Sequence, residues 1–433
     1  MRGGGPFYVS HAAFFLFATA MARVSTDRGP ADLWRHSSLR PGFLQYAMRF
    51  WRRHSIMRAL SHPCSAILMS LSSSVPALRR RALALLSGGL DSLLAVRVVQ
   101  EQGIEVEGIN FFTGFCVEGH THAIRKQSQK KEKRNNALWS AEQLGIKLHI
   151  VDISEEYKDV VLNPKHGYGA NLNPCLDCKI FMVSKAMGYV DRARAFAESL
   201  PEGQGFDFII TGEVVGQRPK SQRAMTMPMI ARESGAEDLL LRPLCAHRLA
   251  PTKPEREGWV DRDKLYGFSG RSRKPQVELA QQFGFSDWAQ PAGGCCFLTD
   301  ESYSRKLSDL WGARGERRYE LDDIMLLKVG RHVRPEPHYK LIVGREEGEN
   351  NFLEGYRRDF PHIRILSHNG PLTLVDGEPS ESDLVNAARI AGRFSQGRDA
   401  DTIEVEIVSK SGVARQMVVV PLRTEEVPEA WYL

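Results

Sequence analysis

The chain has 433 residues, of which 42% are hydrophobic and 25% are charged. This composition excludes an intrinsically disordered protein and predicts a globular chain of two or three domains. The formal net charge of +6 is no sign of a nucleic-acid partner, because residues 1–80 hold eleven arginines against two acidic residues. The other 353 residues carry 47 basic and 50 acidic groups, so the rest of the chain is close to neutral.

Residues 1–80 are rich in Arg and Ser and contain one short apolar patch, Ala12–Ala18. The patch is too short to cross a bilayer, and no apolar stretch of 18 residues occurs in the chain, so no membrane span is expected. Three interpretations of 1–80 remain open: a secretory signal, an organellar transit peptide, or an over-assigned start with Met69 opening the protein.

Seven cysteines argue against a secreted disulfide framework. Cys116 and Cys245, near strand ends, are expected to be small buried hydrophobes.

The most informative motif is Ser87–Ser92, with the sequence Ser-Gly-Gly-Leu-Asp-Ser, which follows an apolar run and opens a helix. Two adjacent glycines let the backbone approach a phosphate closely, and the N–H groups of a helix start point towards it. A tight turn without a ligand is the alternative, and the segment does not match a Walker loop. It resembles the PP-loop of ATP pyrophosphatases. That resemblance implies cleavage of ATP between the α- and β-phosphates and adenylation of a substrate.

Strands and helices alternate between residues 81 and 250. The predicted strands are 82–86, 106–112, 146–151, 206–211 and 239–241. Three helices are predicted: one from 92 to about 101, a basic one that ends near 144, and one over about 179–199. This order predicts an α/β fold with a doubly wound parallel sheet, which binds ligands at the carboxyl ends of its strands. The Ser87–Ser92 loop, Phe112 and the triplet 211–213 are expected at such ends.

The composition changes after residue 250, where 251–258 forms a Pro- and Glu-containing connector and 270–275 a basic turn before a helix. We therefore predict a cysteine-bearing extension of the catalytic domain over 251–318. A small C-terminal α/β domain is predicted over 319–433. Its predicted strands are 325–331, 339–345, 402–408 and 416–420, of which the first two end in Gly-Arg.

Two cysteine loci are candidates for chemistry: Cys175 and Cys178 at a helix start, and Cys295 after paired glycines and before Cys296. A helix N-terminus favours a thiolate. Three interpretations stay open. Cys175, Cys178 and Cys295 are three ligands of a [4Fe–4S] cluster with an open fourth iron, or one thiol carries a persulfide that another resolves as a disulfide. The third is a structural zinc site.

Together these motifs resemble those of the tRNA sulfurtransferases, a group that includes tRNA-specific 2-thiouridylases and 4-thiouridine synthases. The residues that carry the resemblance are the Ser87–Ser92 loop, Asn173–Cys178, Thr211–Glu213 and Gly294–Cys295, within about residues 82–312. The resemblance implies adenylation of a uridine carbonyl with release of pyrophosphate, then sulfur transfer with release of AMP. It implies ATP and Mg²⁺ as cofactors, and tRNA and a persulfide carrier or sulfide as partners. Such an enzyme belongs where ATP is, which favours Met69 as the start and a cytoplasmic location.

The resemblance also implies roles for individual residues. The phosphates are held by Ser87, Gly88, Gly89 and Ser92, and the adenosine is framed by Asn110, Phe111, Thr211 and Gly212. Asp91 contacts Mg²⁺ or caps the following helix, and Cys175, Cys178 and Cys295 handle sulfur. The best-known thiouridylases have a single thiol where this chain has Cys-x-x-Cys, so its three thiols look more like those of iron–sulfur-dependent thiolation enzymes. There is no rhodanese domain, and the C-terminal Gly-Arg strands are similar to a small RNA-binding domain of ribosome-associated factors.

Three basic runs, 125–134, 218–223 and 271–274, are candidate phosphate contacts for an RNA. For 125–134 a solvated helix face is the alternative. Two other functions stay open. One is a PP-loop ligase or amidotransferase for a small metabolite, which needs no thiols. The other is a non-catalytic RNA-binding protein that keeps the loop as a nucleotide sensor.

Overall fold

The computed structural model describes residues 80–117, 135–195, 205–289 and 296–433. All of these fall within Val75–Leu433, one of the two units into which the chain divides. The leader 1–79, the basic run 125–134 and Cys295 lie outside the described residues. Two β-sheets, one parallel and one antiparallel, organise the described part of the chain.

The first sheet is parallel and confirms the predicted doubly wound fold. Its strands, in the order β3-β2-β1-β4-β5, are β1 (Arg81–Leu85), β2 (Glu105–Phe112), β3 (Leu148–Asp152), β4 (Phe208–Thr211) and β5 (Leu240–Leu241). The helices that accompany it are α1 (Leu90–Gln100), α2 (Asn136–Leu144), α3 (Lys158–Leu162), α4 (Cys175–Ala195), α5 (Thr226–Glu233), α6 (Lys253–Arg256), α7 (Lys274–Gln282) and α8 (Glu301–Arg314).

The central strand β1 and the helix α1 form the middle of the core. Ala82, Leu83 and Ala84 are fully buried, as expected for a parallel strand that is covered on both faces. Helix α1 is buried on most of its circumference. The chain builds β2 and β3 on one side of β1 and returns to build β4 and β5 on the other. The loop after β1 therefore lies at the point where the strand order reverses, the usual ligand position in such sheets.

The second sheet is antiparallel and contains six strands in the order β11-β10-β8-β9-β7-β6. They are β6 (Arg331–Glu336), β7 (Tyr339–Val343), β8 (His362–Ile365), β9 (Thr373–Gly377), β10 (Ile403–Val408) and β11 (Ala414–Val419). Three helices accompany this sheet: α9 (Leu321–Leu326), α10 (Glu347–Glu354) and α11 (Glu381–Arg393). Helix α11 buries one apolar face in the core of this sheet, and the side chain of Ser380 caps its N-terminus.

The strand predicted over 325–331 is wrong. Leu321–Leu326 is a helix, a turn follows, and the strand begins at Arg331. A short continuous apolar run fits a buried helix end as well as a strand. The capping box between Glu320 and Asp323 starts the helix here. In the ranges that the structure describes, no helix is both long enough and apolar enough to cross a membrane.

Candidate active site

The loop between β1 and α1 requires glycine at its first glycine position. Gly88 has φ +78°, and a Cβ there would lie 2.5 Å from the backbone carbonyl carbon of Asn136, at the start of α2. Gly89 is the N-cap residue of α1, and no side chain at this position accepts a hydrogen bond from the helix. The first N–H groups of the helix therefore keep their capacity to bind an anion. The hydroxyl of Ser92 donates to the carbonyl of Gly89 at 2.8 Å and lies 3.4 Å from the hydroxyl of Ser87. The predicted phosphate cradle is thus a tight, internally braced turn.

The end of β4 packs directly against this loop. A Cβ at Gly212 would lie 2.4 Å from the backbone of both Asp91 and Ser92. The hydroxyl of Thr211 is turned away from solvent and donates to Oε2 of Glu213 at 2.9 Å. Glycine at 212 therefore holds β4 and the first turn of α1 in contact.

Asp91 is half-buried, and its Oδ1 atom is shielded from solvent without a hydrogen-bond partner in the described part of the chain. The other oxygen, Oδ2, accepts from Nε2 of Gln217 at 2.7 Å, and Gln276 donates in turn to Gln217 at 2.9 Å. Burial raises the pKa of Asp91, while Gln217, Arg273 and Arg218 act against the rise. A carboxylate oxygen is a ligand that Mg²⁺ prefers, so Oδ1 of Asp91 fits the predicted contact with a magnesium-bound nucleotide.

The chain beyond β5 returns to the carboxyl ends of β1 and β4, beside the Ser87–Ser92 loop. The N–H of Gly270 donates to the carbonyl of Val215 at 2.8 Å, and Ala289 forms a parallel bridge with Gly89. These contacts bring the predicted basic segments 218–223 and 271–274 to the loop. The sequence favours a functional role for the run 217–222, which includes Gln217, but it gives no signal for Gln276, an uncharged amide within a helix.

Two of the residues predicted to frame the adenosine serve the sheet in this structure. The side-chain amide of Asn110 donates to the carbonyl of Leu86 at 2.8 Å and so ties β2 to the end of β1. Phe111 belongs to the hydrophobic core of the parallel sheet. An adenosine contact by either residue stays a prediction.

A buried ionic network lies behind the loop. The side chain of Glu213 accepts from Nε of Arg242 at 3.0 Å, and Lys179 in α4 lies 3.9 Å from its other oxygen. Arg242 also donates to the carbonyl of Met227. Burial raises the pKa of Glu213, but the charges of Lys179 and Arg242 outweigh this and hold the pKa below its ordinary value. Helix α4, which carries the first thiols, is thus joined electrostatically to the end of β4.

Replacement of Arg242 by methionine is expected to lower the free energy of unfolding by about 3–5 kcal/mol, because it leaves the buried charge of Glu213 poorly compensated. The lowered pKa of Glu213 stabilises the fold above the pKa of the unfolded chain, and this stabilisation is lost as the pH falls through the folded-state value. Urea unfolding at neutral and acidic pH measures both effects. Arg256→Met, which breaks an exposed pair with Asp238, is the control and should cost about 1 kcal/mol or less. Equal losses for the two variants would contradict this account.

Cys178 and Cys296 both pack against one hydrophobic cluster, which contains the buried side chain of Tyr157. Tyr157, at the start of α3, is 1% exposed and makes a side-chain hydrogen bond with Cys178. Burial raises the pKa of Tyr157 well above its ordinary value, and the neighbouring thiols of Cys178 and Cys296 raise it further. Cys116 joins the group through a backbone bridge with Cys296. The structure thus gathers three thiols that are distant in sequence.

This thiol cluster, formed by Cys116, Cys178 and Cys296, also faces a buried lysine. Lys328 donates to the carbonyl of Gly114, and burial lowers the pKa of its amine to about 8. The thiols of Cys116 and Cys296 act against that fall. Lys328 therefore places an amine that can gain or lose a proton near neutral pH beside two thiols.

The sequence predicts that Cys116 and Cys245 are both buried as small hydrophobic side chains. Cys245 is fully buried, as expected, and burial raises the pKa of its thiol to about 12. The expectation for Cys116 was wrong, because it is only half-buried and belongs to the thiol cluster. Among the described residues, no group of three or more His, Cys, Asp or Glu side chains is arranged to hold a metal ion. Cys295 lies outside them, so an iron–sulfur or zinc site that includes it stays a prediction.

The fold and the loop define a PP-loop nucleotide-binding protein with a second, antiparallel domain. Residues 80–229 match the family model of the tRNA methyl transferase HUP domain. Residues 330–432 match the model of the NFACT protein RNA binding domain. The first match contains strands β1 to β4 and ends before β5, and the second contains the whole antiparallel sheet.

Curated relatives point to one family. The tRNA-specific 2-thiouridylase MnmA of Pelobacter propionicus is 30% identical over 325 residues, which cover 73% of this chain and 77% of that protein. The MnmA 1 of Syntrophus aciditrophicus is 27% identical over 154 residues, and the chain spans only 36% of its length. A solved 4-thiouridine synthetase–RNA complex with bound ATP shares 20% identity over 57% of this chain and 52% of that chain, with a TM-score of 0.31. The chain belongs to the tRNA-specific 2-thiouridylase family, within the PP-loop tRNA sulfurtransferases.

Proposed function

We propose that this protein catalyses the ATP-dependent thiolation of a uridine in tRNA. The observation that carries the proposal is the packing of both Cys178 and Cys296 against the hydrophobic cluster that contains Tyr157. A ligase for a small metabolite would use the Ser87–Ser92 loop but would have no need of paired thiols. A nucleotide sensor would use the loop and Asp91 but would have no need of the thiols.

In the first step, the carbonyl oxygen of the uridine attacks the α-phosphorus of ATP, and pyrophosphate leaves. The N–H groups at the start of α1 and the hydroxyl of Ser87 hold the leaving pyrophosphate. Mg²⁺, where bound at Asp91, supplies charge neutralisation on the phosphates. This step converts a poor leaving group into AMP, so that one difficult substitution becomes two easier ones.

In the second step, a persulfide on one thiol of the Cys178–Cys296 pair attacks the adenylated carbon. The carbon–oxygen bond breaks and AMP leaves. The other thiol then attacks the sulfur that is bound to protein, which releases the base as a thiocarbonyl and leaves a disulfide between Cys178 and Cys296. An external dithiol reduces that disulfide, and a sulfur donor reloads the persulfide. A cluster-bound sulfur on Cys175, Cys178 and Cys295 remains the alternative sulfur source.

Mass spectrometry of tRNA nucleosides from cells that lack the gene tests the proposal. Loss of one thiolated uridine, restored by a plasmid-borne copy, is the expected result, and it names the product. An unchanged set of thionucleosides would reject tRNA thiolation and favour the small-metabolite ligase.

Asp91→Ala is expected to slow ATP-dependent pyrophosphate release by about 10²-fold or more, because it removes the carboxylate that would hold Mg²⁺ beside the leaving phosphates, where negative charge develops. Asp238→Ala, at an exposed ion pair, is the control and should keep the wild-type rate. Because burial raises the pKa of Asp91, acid should protonate the essential carboxylate at a higher pH than an exposed aspartate. The pH profile of kcat/KM should therefore lose activity early on its acid side, and near-normal turnover of the variant would exclude this role.

A further inference from the structure

The antiparallel domain contains a polar cleft that the proposed chemistry does not use. Its volume is about 760 Å³. The residues that line it are Glu354, Gly355, Arg357, Arg358, His362 and the segment 408–412. Small-molecule pockets of this size are lined mainly by apolar and aromatic side chains. This cleft has charged, hydroxyl and backbone groups instead, so its occupant is expected to be polar.

Strand pairing explains how the cleft forms. Val408 is the last residue of β10 and lies opposite His362, the first residue of β8. The segment 355–361, which joins α10 to β8, lies on one side of this pair, and the turn between β10 and β11 lies on the other. The paired strand ends are therefore the floor of the cleft, and the two connections are its walls.

The cleft carries a net positive charge, which comes from arginine and lysine side chains. Glu354 forms ion pairs with both Arg357, at 2.9 Å, and Arg364, at 2.5 Å, so one acid faces two bases. Arg358 and Lys410 are exposed, and neither has an ion pair within the described residues. Burial lowers the pKa of His362, and its Nε2 accepts from Nε of Arg357 at 3.0 Å. The histidine thus stays neutral, and the positive charge does not depend on its protonation.

The turn that carries Lys410 is well braced. The N–H of Gly412 donates to the carbonyl of Ser409 at 2.9 Å, and the N–H of Ser409 donates to the carbonyl of Val413 at 2.9 Å. The hydroxyls of Ser409 and Ser411 lie 2.8 Å apart. A lysine on a turn of fixed backbone, with two neighbouring hydroxyls, is a set of donors that suits phosphate oxygens.

We infer that this cleft binds the phosphate backbone of an RNA, with Arg358 and Lys410 as its phosphate contacts. The match of residues 330–432 to an RNA-binding domain and the two unpaired cations of the cleft support this inference. Its assignment to the substrate tRNA rests on the proposed function. The cleft would then hold a part of the tRNA away from the reacting uridine and contribute affinity without reading sequence.

The test is the salt dependence of RNA binding by the full-length chain. Labelled, unmodified tRNA transcript is titrated with wild type and with the double variant Arg358→Ser/Lys410→Ser over a series of salt concentrations. Loss of two phosphate contacts should reduce the slope of log K against log salt by about 1.4–1.8. Arg398→Ser/Arg423→Ser removes two exposed arginines outside the cleft and should leave the slope unchanged.

An unrelated RNA and a measurement of ATP binding identify the source of the phosphate. An unrelated RNA hairpin shows whether the cleft prefers tRNA, and a reduced slope with either RNA supports backbone binding. Equal slopes for wild type and the cleft variant would overturn the inference. A cleft variant that loses ATP binding but keeps RNA binding would overturn it as well. Because binding is measured without turnover, a chain that fails to thiolate tRNA can still pass this test, and an active enzyme can still fail it.

Discussion

Cys178→Ser is expected to abolish tRNA thiolation and to leave ATP-dependent pyrophosphate release close to the wild-type rate. A serine hydroxyl can keep the hydrogen bond with Tyr157, but it can neither carry a persulfide nor form a disulfide. Thiolation should therefore fall by on the order of 10³-fold or more, as when the reacting group of a covalent catalyst is removed. Thiolated nucleosides are measured by mass spectrometry, and pyrophosphate by a coupled assay on the same reaction.

The matched control is Cys245→Ser. Cys245 is fully buried, its pKa is raised to about 12, and it donates to the carbonyl of Glu213. Serine retains a donor there, so this variant should thiolate normally. If Cys178→Ser still thiolates at the control rate, the thiol pair has no part in sulfur transfer.

Cys175→Ser and Cys296→Ser separate the two sulfur sources. The thiol pair requires Cys296 and tolerates loss of Cys175, whereas the predicted cluster requires Cys175 and tolerates loss of Cys296. Trapping of a Cys178–Cys296 disulfide after a single turnover would give independent support to the pair.

The parallel sheet and the Ser87–Ser92 loop could both be predicted from the sequence, for a physical reason. Ser87–Ser92 is contiguous, and its function depends on local backbone geometry between one strand and one helix. The alternation of apolar strands and helices likewise determines a doubly wound sheet, because crossovers between parallel strands have one preferred hand. These features need no knowledge of distant contacts.

The sequence predicts that the two cysteine loci act together, but the contacts that assemble the thiol cluster and bring the amides to Asp91 could not be predicted in the same way. Tyr157 and Cys296 are 139 positions apart in the sequence, and Gln217 reaches Asp91 across 126 positions. Only the folded chain brings such groups together. The adjacent cysteines 295 and 296 show the limit of prediction from sequence. Both follow the paired glycines, and the sequence does not indicate which of them lies near Cys178. The structure places Cys296 with Cys178 and does not describe Cys295.

Gly212→Ala is expected to destabilise the fold by about 3 kcal/mol, because overpacking at a close backbone contact forces the surrounding structure to move. The added Cβ would lie 2.4 Å from backbone atoms of Asp91 and Ser92. Backbone cannot yield there as a flexible side chain would, so the first turn of α1 must shift. A displacement on the order of 1 Å in a catalytic site can cost about 10²-fold in rate, and pyrophosphate release should fall accordingly.

Gly188→Ala is the matched control, because a Cβ at this glycine in α4 would meet no atom within 4 Å. It should stabilise the protein slightly, by about 0.5–1 kcal/mol, since alanine is the better helix former. Urea unfolding gives both free energies, and the pyrophosphate assay gives both rates. Gly212→Ala could also lose activity simply by unfolding, so its rate is measured at a temperature where circular dichroism shows the variant folded. A folded Gly212→Ala enzyme with the rate of Gly188→Ala would show that contact between β4 and the loop does not control adenylation.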